Sequence, residues 1–427
     1  MTQSASAKSD QVVGVIGLGY VGLPLAIAFA RAGRKTIGID IDPRKVASLS
    51  AGQSYILDVE SSDVAALTGN GLFSATLDYD ALRGVDAIFI CVPTPYDAMR
   101  APDLSYIRDT AEGILPRLGK GQLIVLQSTT YPGTTEEIVL PILERSGLKA
   151  GVDFDLAFSP ERIDPGRRDF DVRNTPKVVG GLTPGATERA SILLSAIGAP
   201  IHPVSSPRAA EMTKLLENIF RSVNIALVNE MAMLCDKMNI DIWEVIDAAA
   251  TKPFGFMPFR PGPGLGGHCI PIDPFYLTWK AREFEFHTEF IELAGKINSH
   301  MPDFCVGKLS RALNSRRKPL NGSRVLVIGV AYKPDVNDMR ESPALKVIEL
   351  LMNEGAEVSY HDPHVPTLVK KGLRSVDLTP QTLGAADAVA VVTNHSVIDW
   401  EMVARESQLV VDFRNVVPAV DGKVWRL

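Results

Sequence analysis

The stretch "PFRPGPGLGGHCIPIDPFY" (258–276) places a single cysteine, Cys269, in a segment rich in glycine and proline, with Asp273 four residues later. A structural cysteine is usually a small apolar filler of a helix or strand, and this composition is unfavourable for both. Long loops of this kind inside compact domains are usually functional. We therefore predict that the Cys269 thiolate is a nucleophile and that Asp273 accepts or relays protons. Gly266 would let the backbone approach a ligand closely.

Composition limits the class of protein. The 427 residues suffice for two or three domains, and a content of 46% hydrophobic and 22% charged residues is ordinary for a globular protein. A net charge of −6 gives no general nucleic-acid footprint.

The four cysteines have neither CxxC nor zinc-like spacing, so we expect reduced thiols, a cytoplasmic protein and no metal site. The uncharged run 12–30 is long enough for a membrane span, but its clustered glycines favour a turn, and we expect no membrane partner.

The turn "FSPERIDPG" carries a second set of candidate groups, Glu161, Arg162 and Asp164. A carboxylate in a loop at the end of a sheet can act as a general base. The alternative is a structural ion pair of Arg162 with one of the two carboxylates, and the residues alone favour that alternative.

A lysine and an asparagine are candidates for stabilising negative charge. The segment 207–239 has helical periodicity, and Lys214 and Asn218 share one face of it because they are four residues apart. Both side chains can donate hydrogen bonds to an oxyanion. A lysine whose stem covers the helix surface while its charge stays in water is the alternative.

The segment "GLGYVG" follows a predicted strand and opens a predicted helix, which is the context of a dinucleotide-binding turn. The predicted cofactor contacts in it are Gly17, Gly19, Tyr20, Val21 and Gly22. The next strand ends at Asp40, whose carboxylate would accept hydrogen bonds from the adenosine ribose and repel a 2′-phosphate. We therefore expect NAD rather than NADP, although Arg44 is close enough to keep NADP open.

Two later strands end in the polar segments "CVPTP" and "LQSTTYPGTT", which contain Thr94 and Thr129. Ligands of open parallel sheets bind beyond the carboxyl ends of the strands. These hydroxyl groups are therefore candidates for holding nicotinamide, ribose or water. Ordinary helix capping is the alternative for each of them.

Strand–helix alternation predicts an α/β protein with two Rossmann-like doubly wound domains, joined by a long central helix and a helical segment. Residues 1–206 form the predicted NAD-binding domain. Residues 207–303 form a helical domain with the cysteine loop, and its long helix is suited to dimerisation. Residues 304–427 repeat the strand–helix–strand pattern with one glycine, Gly329, in place of three, so we expect a different ligand there.

NAD together with a nucleophilic cysteine has a specific chemical meaning. An enzyme that stops at an aldehyde or ketone needs no nucleophile, whereas one that continues to an acid does. The thiolate adds to the aldehyde, the thiohemiacetal gives a hydride to NAD, and water hydrolyses the thioester.

Seven segments in this order resemble the UDP-sugar 6-dehydrogenases of the UDP-glucose/GDP-mannose dehydrogenase family, over about residues 11–415. They are "GLGYVGLPLA", "CVPTP", "STTYPGTT", "SPER", "EMTKLLEN", "GGHCIPIDP" and "GVAYKPDVNDMRESP". The resemblance implies oxidation of the C6 hydroxyl of a UDP-hexose to a carboxylate with two NAD. The loop 252–281 is most similar to the UDP-N-acetylglucosamine branch, which makes that sugar the expected substrate. UDP-glucose, UDP-N-acetylgalactosamine and UDP-N-acetylmannosamine are the alternatives.

The resemblance also implies residue roles. Cys269 would be the nucleophile, Lys214, Asn218 and Asp273 would surround the reacting C6, and Glu161 and Thr129 would handle the hydrolytic water. The implied UDP-sugar contacts are Glu161, Arg162, Lys214, Asn218, Arg260, Gly266, Lys333 and Arg414. Arg340 resembles a cofactor contact, and Arg260 is a candidate for reaching a substrate across a homodimer or higher homo-oligomer.

Four side chains before the cysteine bear on the choice of sugar. They are Phe254, Phe256, Met257 and Phe259, a candidate apolar wall for an acetamido methyl group. Packing of the loop onto the helices is the alternative for them.

Two rival functions explain less. A one-step NAD-dependent hydroxyacid dehydrogenase leaves Cys269 and the second Rossmann-like domain unexplained. A non-catalytic NAD- and nucleotide-binding redox sensor leaves the set of carboxylates, lysine and asparagine without a role.

Overall fold

A computed structural model describes residues 11–56, 58–97, 101–163, 169–267 and 270–427. The predicted nucleophile Cys269 and its neighbour His268 lie outside these described residues, as does Asp164. The chain divides into two compact units. One comprises Met1–Glu217 and Trp279–Glu285, and the other comprises Asn218–Thr278 and Phe286–Leu427.

An eight-stranded sheet in the order β3-β2-β1-β4-β5-β6-β7-β8 forms the centre of the first unit. Its strands are β1 Val13–Ile16, β2 Thr36–Ile39, β3 Phe73–Thr76, β4 Ala87–Ile90, β5 Leu123–Leu126, β6 Asp155–Phe158, β7 Lys177–Gly181 and β8 Ile201–Pro203. The order 3-2-1-4-5-6 is that of a dinucleotide-binding doubly wound sheet, as the sequence predicts. The strands are parallel except at β6 and β7, which pair antiparallel. That reversal was not predicted.

Helices cover the sheet of the first unit. They are α1 Gly22–Arg31, α2 Pro43–Ser50, α3 Ser61–Gly69, α4 Ser105–Ile114, α5 Leu140–Glu144 and α6 Pro184–Ser195. Helix α1 is buried almost all round, and its Phe29 ring lies 5.1 Å from that of Phe89 on β4. The uncharged run 12–30 is therefore a buried strand, a glycine turn and a core helix. Among the described residues, every helix is too short or too polar to span a membrane.

The predicted helical segment is confirmed. It contains α7 Pro207–Met238, α8 Ile242–Ala250, α9 Asp273–Ala281 and α10 Glu289–Ser315. Helix α7 begins in the first unit and continues into the second. Asp241 caps α8 by accepting a hydrogen bond from the Trp243 N–H at 2.8 Å. The described part of the chain between α8 and α9 contains neither helix nor strand. Asp273 is the first residue of α9, whereas the sequence predicted that it lies in the loop.

The second unit contains a five-stranded parallel sheet in the order β10-β9-β13-β14-β15. Its strands are β9 Arg324–Ile328, β10 Glu357–His361, β13 Ala388–Val391, β14 Val410–Asp412 and β15 Val424–Arg426. Its helices are α11 Pro343–Asn353, α12 Pro380–Ala385 and α13 Trp400–Glu406. A short antiparallel pair, β11 Thr367–Leu368 and β12 Leu373–Arg374, lies apart from this sheet. The second Rossmann-like domain is therefore confirmed.

The two sheets share one hydrogen-bond arrangement, in which an aspartate carboxylate accepts backbone N–H groups of a loop. In the first, the Asp40 carboxylate accepts the Leu18 N–H at 2.8 Å. In the second, the Asp362 carboxylate accepts the Val330 and Ala331 N–H groups at 2.7 and 3.0 Å. Each aspartate follows the second strand of its repeat and holds the loop after the first strand. The three described cysteines are buried and form no disulfide.

Candidate active site

The glycine turn after β1 has one open position. A Cβ on Gly17 would lie 2.5 Å from the Cys91 carbonyl oxygen, and a Cβ on Gly22 would lie 1.8 Å from that of Gly17. A Cβ on Gly19 would meet nothing within 4 Å. The first and third glycines are therefore required by packing. The second leaves space beside the N-terminus of α1, where backbone can approach a pyrophosphate.

Asp40 is buried and well bonded. Its side chain is 6% exposed and accepts hydrogen bonds from the Leu18 N–H and from the Lys45 ammonium, the latter at 3.0 Å. Arg44, the basic residue singled out from the sequence, is 89% exposed and pairs with Asp42 instead. The structure thus brings Lys45 to Asp40, a contact that sequence reasoning missed. Asp42 is the sequence feature that could have indicated this contact, because it caps α2 and already binds the Arg44 backbone and side chain.

The hydroxyl groups after β5 differ in whether they form hydrogen bonds with other residues. Ser128 donates to the Val92 carbonyl oxygen at 2.8 Å, and Thr130 shares a hydrogen bond with Thr134 at 2.6 Å. The half-buried Thr129 between them makes no side-chain hydrogen bond to a described residue. Thr94, after β4, is buried. Neither Thr94 nor Thr129 is an N-cap of a described helix.

Glu161 follows β6 and is 7% exposed. The ammonium group of Lys177 donates to its Oε2 at 2.6 Å, and the Arg162 and Ile163 N–H groups donate to its Oε1 at 2.7 and 3.0 Å. Burial alone would raise the pKa of Glu161, but the charge of Lys177 and these hydrogen bonds hold it below its ordinary value. The carboxylate is therefore ionised at neutral pH and fixed in one orientation.

The ion pair considered for Arg162 exists with a different partner. Its Nη2 lies 2.6 Å from Glu217 Oε1, and its Nη1 donates to the Pro176 carbonyl oxygen at 2.8 Å. Glu161 is bound by Lys177, a residue that sequence reasoning missed.

Lys214 and Asn218 are both buried on α7, at 7% and 4% exposure. In the first unit, Lys214 forms no ion pair or hydrogen bond with a described residue. A buried ammonium group that has no counter-charge within the described part of the chain suits a group that meets a ligand anion. In the second unit, the Asn218 amide donates to the Asp273 carboxylate at 2.5 Å, and Asp273 is 3% exposed.

The loop before Cys269 is anchored within the second unit. The Gly262 N–H donates to Asn229 Oδ1 at 3.0 Å, and the Gly267 N–H donates to the Arg340 carbonyl oxygen at 3.0 Å. A Cβ on Gly266 would lie 2.7 Å from the Tyr332 Cβ. The small size of Gly266 is thus required by packing against the loop after β9.

Four basic side chains of the second unit are predicted to contact substrate or cofactor, and the structure shows their protein partners. Arg414 follows β14, and its Nε donates to the Val392 carbonyl oxygen at 2.7 Å. Lys333 lies in the loop after β9, with its ammonium 5.6 Å from the centre of the Tyr332 ring. Arg340 pairs with Asp338 at 2.7 Å. Arg260 pairs with Asp247 at 2.5 Å.

The candidate apolar wall is largely exposed. Phe254, Phe256 and Met257 are 71%, 39% and 62% exposed. Phe259 packs edge-on against Phe220 of α7, with ring centres 5.8 Å apart. Phe259 therefore has the packing role considered as the alternative.

A cluster of one aspartate and two histidines in the second unit has the spacing of a cation site, but one of its histidines is already hydrogen-bonded through both ring nitrogens. One ligand atom each from Asp335, His364 and His395 lie within 4.8 Å of one another. His395 Nδ1 accepts the Asp335 N–H at 3.0 Å, and Nε2 faces the Asp362 carboxylate at 3.0 Å. Since both ring nitrogens of His395 are occupied, the cluster is a structural hydrogen-bond network.

Sequence models of three consecutive domains of the UDP-glucose/GDP-mannose dehydrogenase family match the chain. They are the NAD binding domain over residues 11–197, the central domain over 208–300 and the UDP binding domain over 326–419. The chain belongs to the UDP-glucose/GDP-mannose dehydrogenase family.

Relatives in this family are similar over nearly the whole chain. The UDP-N-acetyl-D-glucosamine 6-dehydrogenase of Pseudomonas aeruginosa is 38% identical over 392 residues, which are 91% of each chain. The UDP-N-acetyl-D-mannosamine dehydrogenase of Escherichia coli K12 is 34% identical, over 96% of this chain and 99% of that one. The solved structure of the UDP-D-ManNAc dehydrogenase of Pyrococcus horikoshii superposes with a TM-score of 0.89 at 33% identity, covering 97% and 99% of the two chains.

As a member of the UDP-glucose/GDP-mannose dehydrogenase family, the chain is an NAD-dependent UDP-sugar dehydrogenase. The enzyme class, the NAD cofactor and the family predicted from the sequence are confirmed. The open backbone at Gly19 and the buried Asp40 are the features of this chain that fit the cofactor.

Proposed function

We propose that the chain oxidises the C6 hydroxyl of UDP-N-acetyl-D-glucosamine to the carboxylate of the corresponding UDP-uronic acid, with two NAD per sugar. The observation that carries this substrate is the 38% identity, over 91% of both chains, to a relative named for it. Relatives named for UDP-N-acetyl-D-mannosamine are 34% identical over at least 95% of this chain. That sugar is therefore the second candidate.

The residues assigned to the alcohol oxidation are Asp273, Asn218 and Lys214. NAD, held by the glycine turn after β1 and by Asp40, would supply the hydride acceptor for both oxidations. Asp273 takes or relays the proton of the C6 hydroxyl, and its hydrogen bond to Asn218 fixes the orientation of its carboxylate. The buried Lys214 ammonium stabilises the negative charge that develops on the C6 oxygen.

Cys269 is the group that carries the reaction from aldehyde to acid. Its thiolate adds to the C6 aldehyde, and the thiohemiacetal loses a hydride to become a thioester. Water then attacks the thioester carbon, with Glu161 and Thr129 as its partners, and the carbon–sulfur bond breaks. Overall, one alcohol, one water and two NAD give one carboxylate, two NADH and three protons.

The nucleotide end of the substrate is assigned to the family's UDP binding domain. Lys333, Arg414 and Gly266 are proposed contacts of the UDP-sugar. Arg162 and Arg260 are proposed further substrate contacts, and Arg340 a cofactor contact. The division into 1–206, 207–303 and 304–427 is proposed as the division of function, supported by the three family matches.

A homodimer or higher homo-oligomer is part of the proposal. Helix α7 carries apolar side chains that are 38–63% exposed and recur mainly at three- and four-residue spacing, namely Met212, Leu216, Phe220, Leu227, Met231, Leu234 and Met238. Such a stripe on a long helix is typical of an interaction surface. Light scattering coupled to gel filtration tests it, and a monomer would contradict it. We also propose a cytoplasmic location, which cell fractionation tests.

A panel of UDP-sugars, followed by NADH absorbance, tests the substrate. UDP-N-acetylglucosamine should give a higher kcat/KM than UDP-N-acetylmannosamine, UDP-N-acetylgalactosamine or UDP-glucose. One apolar contact to the acetamido methyl group contributes about 1–3 kcal/mol, so preference over UDP-glucose should be roughly 10–200-fold. A higher kcat/KM for UDP-N-acetylmannosamine would replace the proposed substrate with the second candidate. No turnover with any of the four would overturn the proposed function.

A further inference from the structure

Lys177 is a fully buried lysine that none of the proposed catalytic steps uses. Its side chain is 0% exposed, and its ammonium lies 2.6 Å from Glu161 Oε2. Lysine is almost never fully buried unless it is paired. Glu161 is its ion-pair partner among the described residues. The two side chains are therefore one buried pair, and removing either leaves the other charge uncompensated.

The reversed strand explains how the pair forms. Strand β7 runs antiparallel to β6, with Phe158 opposite Gly180. Continuing this register three residues past Phe158 and three residues before Gly180 sets Lys177 opposite Glu161. Lys177 is the first residue of β7, and Glu161 is in the turn after β6. The ammonium group is therefore delivered from a rigid strand and not from a mobile loop.

Neighbouring groups at this edge of the sheet are polar and buried. The Cys91 thiol donates to Gln127 Oε1 at 3.2 Å. Burial and the charge of Glu161 raise the pKa of that thiol, while Lys177 acts in the opposite direction. Gln127 Nε2 and Ser159 Oγ are buried without a hydrogen-bond partner among the described residues. Polar atoms of this kind are typical of a site that holds water.

We propose that Lys177 is a positioning residue for the hydrolytic half-reaction, acting through Glu161; this inference rests on the function proposed above. An ionised carboxylate offers about four acceptor positions. Among the described residues, two backbone N–H groups occupy Oε1 and Lys177 occupies one position of Oε2, and the fourth position is the one we assign to a water. The pair thus fixes both the direction and the charge of the acceptor that the hydrolytic water meets.

The chemistry that depends on this acceptor is the hydrolysis of the thioester. Water attacks C6, the carbon–sulfur bond breaks, and the Cys269 thiol and the sugar carboxylate form with release of one proton. Because Lys177 keeps Glu161 ionised, Glu161 stabilises the positive charge that develops on the attacking water. The charged or titratable described groups around the Glu161 carboxylate are Lys177, Cys91 and the adjacent Arg162.

The substitution Lys177→Met tests the inference through the step it affects. Without Lys177, burial raises the Glu161 pKa, so the acid limb of the kcat profile should move to higher pH by about 1–3 units. Steady-state kcat at neutral pH should fall roughly 10²-fold, while the first burst of NADH is retained. Intact-mass measurement should show acylated enzyme. Lys177→Arg keeps the charge and should restore the pH profile at least in part.

Two further variants separate positioning from folding. Lys308 forms a part-buried ion pair with Asp236 at 2.5 Å, and Asp236 also pairs with Arg311. Lys308→Met is therefore the control for losing a lysine ion pair away from Glu161, and it should show no acylated enzyme. The double variant Glu161→Gln/Lys177→Met carries no unpaired buried charge, which favours its folding. Since Lys177 acts through Glu161, the double variant should be no slower than Glu161→Gln alone.

Three results would overturn the inference. They are an unchanged pH profile in Lys177→Met, a burst and steady-state rate that fall by the same factor, and a Lys177→Met effect that persists in full in the Glu161→Gln background. If wild-type protein oxidises no UDP-sugar, the proposed function itself has failed. The two failures are therefore distinguishable.

Discussion

Gly19 and Gly22 stand in the same turn, yet the structure gives them opposite tolerance to a methyl group. A Cβ on Gly22 would lie 1.8 Å from the Gly17 carbonyl oxygen, so the Gly22→Ala backbone must shift. A Cβ on Gly19 would meet nothing within 4 Å, and its φ lies outside the left-handed region. Gly19→Ala should therefore fold normally and affect only what approaches that position.

The expected magnitudes follow from these contacts. An added methyl group in a close-packed contact costs about 1–3 kcal/mol. At Gly19 this cost falls on the NAD pyrophosphate, so the Kd for NAD should rise about 5–150-fold, while stability changes by less than about 1 kcal/mol. At Gly22 the cost falls on the fold, which corresponds to a Tm lower by roughly 2–12 °C.

Calorimetric titration with NAD and thermal unfolding without NAD measure the two effects. We expect a crossed pattern, in which Gly19→Ala loses NAD affinity and keeps its Tm, and Gly22→Ala has a lower Tm. Wild-type NAD affinity in Gly19→Ala would refute the placement of the pyrophosphate. An equal loss of Tm in both variants would refute the packing argument.

Three more predictions concern charge. NAD should give a higher kcat/KM than NADP because the Asp40 carboxylate repels a 2′-phosphate; equal values would contradict this, and Lys45, which pairs with Asp40, would be the residue to replace next. Lys214→Met and Asn218→Ala should each lower kcat by roughly 10²–10³-fold with NAD affinity unchanged, and a kcat within threefold of wild type would remove them from oxyanion stabilisation. Burial would raise the pKa of Asp362, but hydrogen bonds from His395 and backbone N–H groups lower it to about 2. Its stabilisation is then present above its ordinary pKa of 3.8 and lost as pH falls toward 2, so the Tm of Asp362→Asn should depend less on pH between about 5 and 3 than that of wild type.

Features set by neighbouring residues could be predicted from the sequence. The strand, the glycine turn, helix α1 and Asp40 lie within about thirty residues, so their periodicity and spacing give their arrangement directly. The same is true of β9, α11 and β10 in the second unit. The lysine–asparagine pair of α7 could be placed on one helix face because helical geometry is regular.

Contacts that depend on register or on turn geometry could not be predicted. Lys177 reaches Glu161 only because β7 reverses relative to β6, and hydrophobic runs do not reveal strand direction. Lys45 rather than Arg44 reaches Asp40 because the cap of α2 engages Arg44. The role of Gly266 depends on Tyr332, which is distant in sequence.

The number of NADH formed per sugar shows whether one site carries out a four-electron oxidation that depends on Cys269. It is measured by incubating limiting UDP-N-acetylglucosamine with excess NAD and reading NADH at completion. We expect two NADH per sugar with the uronic acid as the product, and no uronic acid from Cys269→Ala although that variant still binds NAD. One NADH per sugar with an aldehyde or ketone product, or full turnover by Cys269→Ala, would contradict it.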